Sequence, residues 1–296
     1  LNGVHRILLV MLLLLGACPM PYLQRYLLLS YPLTQTRATS MFLIVPGLGD
    51  GIERRKLVAG NIALLREQLA SVDVSFSCHI SLYGSLHFAV KPCSVDFTTL
   101  ELHEVQISID VGLATYVTVL FDDVNLNTES PVRLQTLLHS IRNFSIDIAT
   151  PACEGSGWRI MSPGKHGIFS IFYEPFFTIY TASAWRCRVD LLKITTEFGV
   201  EGSMMSWDKY EFSFCKSKIG IFKDMVVVHT QAGGKHSTLR SINHTAAELG
   251  WQGLYTHMKD LHGILPIAGL GQTAEANDAA NFLEIAHGQG YESFTY

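Results

Sequence analysis

The sequence predicts an α/β fold, Rossmann-like, with a mixed, mostly parallel sheet flanked by helices. Three observations carry that expectation. One apolar run stops at a glycine-rich turn and gives way to a helical stripe. A second runs into two adjacent aspartates, and a third ends at a histidine. Apolar runs of roughly 4–8 residues bounded by turn signals read as buried strands. In open α/β sheets, ligands bind at the carboxyl ends of such strands.

Residues 1–39 read as a leader and stem, and residues 40–296 as a single α/β domain. His5 and Arg6 precede an apolar run from Ile7 to Ala17, followed by Pro19 and Pro21. That run is short for a bilayer span and has the length of a signal-peptide core. Apolar residues resume at Tyr26–Leu33, so a signal anchor through residues 7–17 is an alternative. Leu15-Gly-Ala-Cys18 also resembles a bacterial lipoprotein box with Cys18 as the lipid carrier, and a plain buried helix is the remaining reading. The expected setting is the secretory lumen (Golgi or ER, membrane-anchored) or secretion, with a bacterial envelope lipoprotein as the alternative.

The domain opens with a strand at Met41–Val45 that ends in Pro46-Gly-Leu-Gly-Asp-Gly51. A helix follows, because Val58, Ile62, Leu65 and Leu69 recur at spacings of four, three and four. Val72–Leu82 is the second strand, and short strands are expected near Val95–Leu100 and Val105–Val111. Thr115–Phe121 is a buried strand leading into Asp122 and Asp123. Ser130-Pro131 suggests a cap and first-turn proline for a helix carrying Leu134, Leu137, Leu138 and Ile141. A strand at Phe144–Ala149, a helix from Ser183 to about Phe198 with Trp185, Val189 and Leu192 inward, and a last central strand at Ile219–His229 complete the core. From Ser241 the chain reads helical.

A formal net charge of −4 without a basic stripe argues against nucleic acid as a partner. Two adjacent carboxylates at the rim of an apolar core repel each other, so one takes a proton or a cation sits beside them. His229, also at a strand end, would complete an oxygen-rich site with one nitrogen, suited to Mn²⁺ and tolerant of Mg²⁺. The bland alternative is a histidine that caps its strand. The glycines of the first loop free the backbone to approach a phosphate or ribose, or serve the turn alone. Glu174 is an isolated acid in Ile171-Phe-Tyr-Glu-Pro-Phe-Phe177. Burial would fit it for acid–base work; pairing with an arginine is the structural alternative. Asp208 follows Trp207, either a sugar-holding pair or an ordinary loop pattern. Arg54 and Arg55 could neutralise a diphosphate or simply line a solvated helix face. No Lys-Ser/Thr follows the glycine loop, and no Gly-x-Ser-x-Gly or His-Glu-x-x-His occurs.

Six cysteines include no CxxC and no zinc-ligand spacing. In an oxidising compartment, Cys78–Cys93 and Cys153–Cys187 are bridges the spacing allows, though connectivity is not legible in sequence. Asn143-Phe-Ser145 and Asn243-His-Thr245 fit the glycosylation pattern, one that also arises often by chance.

Four blocks in order resemble a glycosyltransferase-like family of plants with bacterial relatives, over roughly Met41 to Gln231. They are Met41–Gly51, Thr115–Ala152, Glu174 eleven residues before Trp185-Arg-Cys187, and the ungapped Lys218–His229. The resemblance implies the type A fold of nucleotide-sugar transferases. It assigns Asp122, Asp123 and His229 to a Mn²⁺ or Mg²⁺ ion; beside that ion the Pro46–Gly51 loop, with Pro46, Gly47 and Gly49, and Asp122 would cradle the nucleotide sugar. Glu174 and Asp208 become the groups that position or deprotonate the acceptor. The sequence departs from the family at Val124 and Asn125, where a third acid is usual, and its segment before Asp208 is longer than the family's. The expected activity is metal-dependent transfer from a nucleotide-sugar donor to a glycan or other hydroxyl acceptor. The alternatives are a non-catalytic secreted carbohydrate-binding protein and a metal-dependent phosphodiesterase.

Overall fold

A computed structural model describes residues 38–84, 87–156, 159–198, 208–230, 253–254, 256–260 and 293–294. The leader, Cys18, the anchor at residues 7–17, Asn243 and most of the chain beyond Ser241 lie outside the described residues. Among the described residues, no helix is long and apolar enough to cross a membrane.

Strand β1 (Ser40–Leu48) begins as expected but continues through Pro46 and Gly47. Its register against β2 (Ser75–Leu82) shifts between Val45 and Leu48, where the proline has no N–H for the ladder. Gly47 lies against the Tyr83 ring and Leu102, and a Cβ there would have to displace those two side chains. Helix α1 (Ile52–Ala70) buries the expected Val58, Ile62, Leu65 and Leu69, together with Asn61. Each fully buried aliphatic side chain contributes about 1.5–3 kcal/mol, and such burial, more than propensity, holds a helix in place.

The sheet runs β10–β7–β9–β6–β8–β4–β1–β2–β3. Here β3 is Ser94–Phe97, β4 Tyr116–Leu120, β6 Ile148–Glu154, β7 Gly167–Ser170, β8 Phe177–Thr181, β9 Ile219–His229 and β10 Ser293–Phe294. The ladders β1–β2, β1–β4, β2–β3 and β6–β9 are parallel, and β1–β2 and β6–β9 are the longest. Antiparallel β8 is wedged between β4 and β6, which leaves those two strands pointing the same way. Strands β1, β2, β3, β4, β6 and β9 therefore share one carboxyl edge. The expected mixed α/β sheet is present.

Four local expectations are corrected. Val105–Val111 is not a strand: Leu102–Ser108 is helix α2, set by a capping box between Glu101 and Glu104. Helix α3 (Leu134–Asn143) starts after Ser130-Pro131, and its first amide is satisfied by Gln68 Oε1 at 2.8 Å. Ser130 instead gives its carbonyl to Val226 N. The strand expected at Phe144 begins at Ile148, because Phe144 closes α3 and Ser145 takes a left-handed φ of 51°. Finally, the bridges are Cys78–Cys93 and Cys187–Cys215. Cys153 is a free, buried thiol in β6, while Cys187 on α4 (Ala182–Glu197) reaches Cys215 at the end of α5 (Asp208–Cys215).

Candidate active site at the carboxyl edge

The acidic doublet leaves β4 after Phe121 and re-enters the sheet at once. Val124–Asn125 forms a two-residue strand β5 on β9, with Val124 opposite His229. That pairing brings the doublet and the histidine together, as the sequence suggests. His229 Nε2 lies 3.0 Å from Asp123 Oδ2. Thr230 donates both its N–H and its hydroxyl to the Asp123 carbonyl, each at 2.8 Å. The Phe176 ring stacks on the imidazole at 4.3 Å, fixing its plane. Gly155, at φ 88°, lets the chain pass closely: a Cβ there would sit 2.9 Å from the His229 carbonyl.

Asp122 turns the other way. Its carboxylate accepts from Gly49 N at 3.0 Å, and Arg54 Nη1 lies 3.0 Å from both of its oxygens. The two acids thus each take a separate protein partner, which offsets part of their mutual repulsion. Arg54 and Arg55 do not line a solvated helix face. Arg54 holds Asp122, and Arg55 pairs with Asp50 at 2.7 Å and reaches the His87 carbonyl. Those contacts order the Gly49–Gly51 turn before α1.

Burial raises the Asp122 carboxyl, and the Asp123 charge adds to that; Gly49 N–H and Arg54 oppose it. The hydrogen bond that His229 Nε2 donates to Asp123 raises the imidazole, against the pull of burial. Glu174 lies on the approach to β8 and is raised by burial, partly offset by a Ser156 hydrogen bond and by His229. Its Oε2 is buried without a hydrogen-bond partner among the described residues, and no described arginine or lysine pairs with it. Burial and the nearby Glu174 and Asp123 charges push the Cys153 thiol up to about 12, which keeps it protonated and rules it out as a ready nucleophile. Asp208 opens helix α5 and so does not sit in a loop; its side chain and Trp207 lie outside the described residues.

Two positioning residues escaped the sequence reading. Asn61 Nδ2 donates to the Val124 carbonyl at 2.6 Å, and its Oδ1 accepts from Leu126 N at 3.1 Å. Seven residues on, Gln68 does the same for Val132 and Leu134. Together they clamp the segment that follows the doublet against α1. Amides set into a buried helical stripe at that spacing are the signal that could have found them. At the neighbouring strand ends, Gly84, Phe97, Thr98 and Thr99 line an open depression of about 570 Å³. Gly84 lies against Asp50, since a Cβ there would meet that carboxylate at 2.1 Å.

For a divalent cation, the described residues offer a pair of protein donors and no cluster of three or more. The 3.0 Å between Asp123 Oδ2 and His229 Nε2 equals the separation of two adjacent ligands each about 2.1 Å from a small divalent ion. An oxygen–nitrogen pair that is about one-fifth exposed can reach such an ion and leave room for ligand oxygens. Asp123 and His229 fit the group. Asp122 offers both of its oxygens to Arg54 and would have to release them first.

No family model and no curated protein sequence matches the chain. Among solved structures, GalNAc-T7 with UDP, GalNAc and Mn²⁺ is 11% identical with a TM-score of 0.43, covering 84% of this chain and 54% of that one. A glycosyltransferase that acts in glycosylation of the PBCV-1 major capsid is 12% identical, TM-score 0.35, covering 73% and 98%. The galactosyltransferase LgtC, with donor and acceptor sugar analogues, is 10% identical, TM-score 0.38, covering 73% and 100%. At these identities and scores the likeness assigns neither activity nor ligand to this chain.

Proposed function

We propose that the chain is a glycosyltransferase that moves a sugar from a nucleotide-sugar donor to a hydroxyl acceptor, with a divalent cation, Mn²⁺ or Mg²⁺, held by Asp123 and His229. The observation that carries this reading is the 3.0 Å pairing of those two side chains at the shared carboxyl edge, next to the loop that Asp122 ties through Gly49. A bound cation would supply counter-charge for a departing diphosphate.

The protein's own groups supply the rest. Gly49 and Asp122, backed by Pro46 and Gly47, shape the loop against which the nucleotide lies. Arg54 keeps Asp122 oriented. Glu174, whose carboxyl is raised by burial, is suited to take the proton from an acceptor hydroxyl as the new glycosidic bond forms. Asp208, at the start of α5, is the second candidate for holding the acceptor. Two disulfides support a secretory-lumen setting, in keeping with the leader at residues 1–39.

Calorimetry with Mn²⁺ and a panel of nucleotide sugars tests the reading. The wild-type chain is expected to bind a donor only with the cation present. Asp123→Ala is expected to lose that binding while keeping its circular-dichroism spectrum. Unchanged donor affinity in the variant, or binding of free glycans with no response to any nucleotide sugar, would refute the proposal.

A further inference from the structure

The sheet has a second edge, and one motif on it is unused by the chemistry above. Asn143 is the last residue of α3, and Asn143-Phe144-Ser145 is an Asn-x-Ser triplet. Asn143 and Ser145 are both exposed, whereas Phe144 between them is half-buried. The left-handed φ of 51° at Ser145 turns the chain sharply there, so the triplet stands on a tight bend at the surface. Around it lie the amino ends of the parallel strands. Arg142 bonds Tyr116 at the start of β4 and Thr39 ahead of β1, and Lys218 ahead of β9 donates to the Phe144 carbonyl. Asp122, Asp123 and His229 occupy the opposite edge. The five-residue β4 alone separates the two by about 16 Å.

A second, independent observation concerns compartment. Cys78–Cys93 and Cys187–Cys215 are both bridged, and paired cysteines belong to chains that mature in an oxidising lumen. That is also where Asn-x-Ser/Thr acceptors meet their donor. We infer that Asn143 is an N-glycosylation site whose glycan projects from the amino edge of the sheet, away from the carboxyl-edge site. In that step Nδ2 of Asn143 bonds the anomeric carbon of a sugar delivered by a lipid-linked diphosphate. The carbon–oxygen bond to the diphosphate breaks, Nδ2 gives up one proton, and the lipid diphosphate leaves. The modified amide keeps one N–H. The 2.6 Å contact between Asn143 Nδ2 and His139 Nε2, one turn back on α3, is therefore compatible with the modification when the imidazole nitrogen accepts. The inference does not depend on the transferase reading, since it requires only passage through the lumen.

The test is expression of the full chain in cultured eukaryotic cells, with an amidase that removes N-glycans and mass spectrometry of the peptide that contains residue 143. The expected result is a wild-type chain whose mobility increases on amidase treatment, with Asn143 converted to Asp in the treated peptide. Asn143→Gln and, separately, Ser145→Ala should each remove one glycan's worth of mobility shift, while Asn243→Gln leaves the peptide with residue 143 modified. An unmodified Asn143 in the wild-type chain, or a mobility shift that neither substitution at the triplet diminishes, overturns the inference. Donor binding is read on the same samples and is expected to be the same with and without the glycan.

Discussion

Two of the arginine–carboxylate pairs among the described residues sit under very different conditions. Arg188 on α4 and Glu211 on α5 meet at 2.8 Å with both side chains wholly excluded from water. Gln106 of α2 accepts from Arg188 Nε and Nη2, and Tyr173 bonds both members of the pair. The Cys187–Cys215 bridge ties the same two helices beside it. Arg54 and Asp122, by contrast, meet at 3.0 Å at the rim, with the arginine about one-quarter exposed. The chemistry is the same, but only the rim pair can trade its partner for a ligand or for water. A buried pair that cannot exchange acts as a fixed joint between helices.

The sharpest way to break this contrast is to remove one end of the buried pair. Arg188→Met leaves Glu211 charged in a dry site, and breaking such a pair typically costs about 3–5 kcal/mol. Urea unfolding of the oxidised protein is expected to show a loss of that size. Arg188→Met combined with Glu211→Leu should be less destabilised than Arg188→Met alone, because no orphan charge remains. Equal stability of the wild type and the Arg188→Met variant would show that the joint contributes nothing.

The same contrast marks how far the sequence could be read. The strand that ends in Asp122 and Asp123, the helical stripe of α1 and the strand that ends at His229 follow from periodicity, and all three are present. The meeting of Asp123 with His229 is implied by two strand ends on one edge. The opposite orientations of the two acids are not, because they depend on β5 returning onto β9, a two-residue strand with no periodicity to detect. At helix α2 the alternation of Val105, Ile107 and Ile109 points to a strand, while the capping box at Glu101 and Glu104 decides for helix. Arg188 lies on α4 three residues after Trp185 and four before Leu192, so helical spacing sets it on the buried stripe and only its charge argues against a core position. Its partners come from three separate segments that only tertiary packing assembles.

A smaller effect is expected at the rim. Arg54→Gln should lower stability by about 1 kcal/mol, the upper end for part-exposed pairs and well short of the buried case. Its pH dependence has a definite sign. Burial already holds the Asp122 carboxyl above its usual value, and Arg54 is one of the groups restraining that rise. Without Arg54 the folded-state pKa moves up further, so folding favours the protonated acid more strongly. The deficit is then fully present above both raised folded-state values and shrinks as the pH falls through them, before the ordinary carboxylate range is reached. A stability difference that stays constant between pH 7 and pH 4 would mean that Arg54 acts through packing alone. Donor affinity should fall as well, because Asp122 no longer holds the Gly49 turn in place.

Glu174 is the limiting case in this series, a carboxylate near the site with no arginine or lysine pairing it among the described residues, its burial offset in part by a Ser156 hydrogen bond and by His229. Burial raises its pKa, so at neutral pH its ionised form opposes folding, and that opposition disappears as the pH drops below the range of an unperturbed glutamate. Glu174→Gln keeps a group able to bond Ser156 and removes the charge. A gain of about 0.5 kcal/mol at pH 7 is expected, at the low end for a single stabilising change, and the gain should vanish in acid. On the proposed reading, transfer activity is lost in the same variant with donor binding retained, since the proposed proton acceptor is gone while Asp123 and His229 are untouched. An acid kept at a stability deficit is one whose charge is used elsewhere. If Glu174→Gln is less stable than wild type at pH 7, the carboxylate has a structural partner after all and the role of general base passes to Asp208.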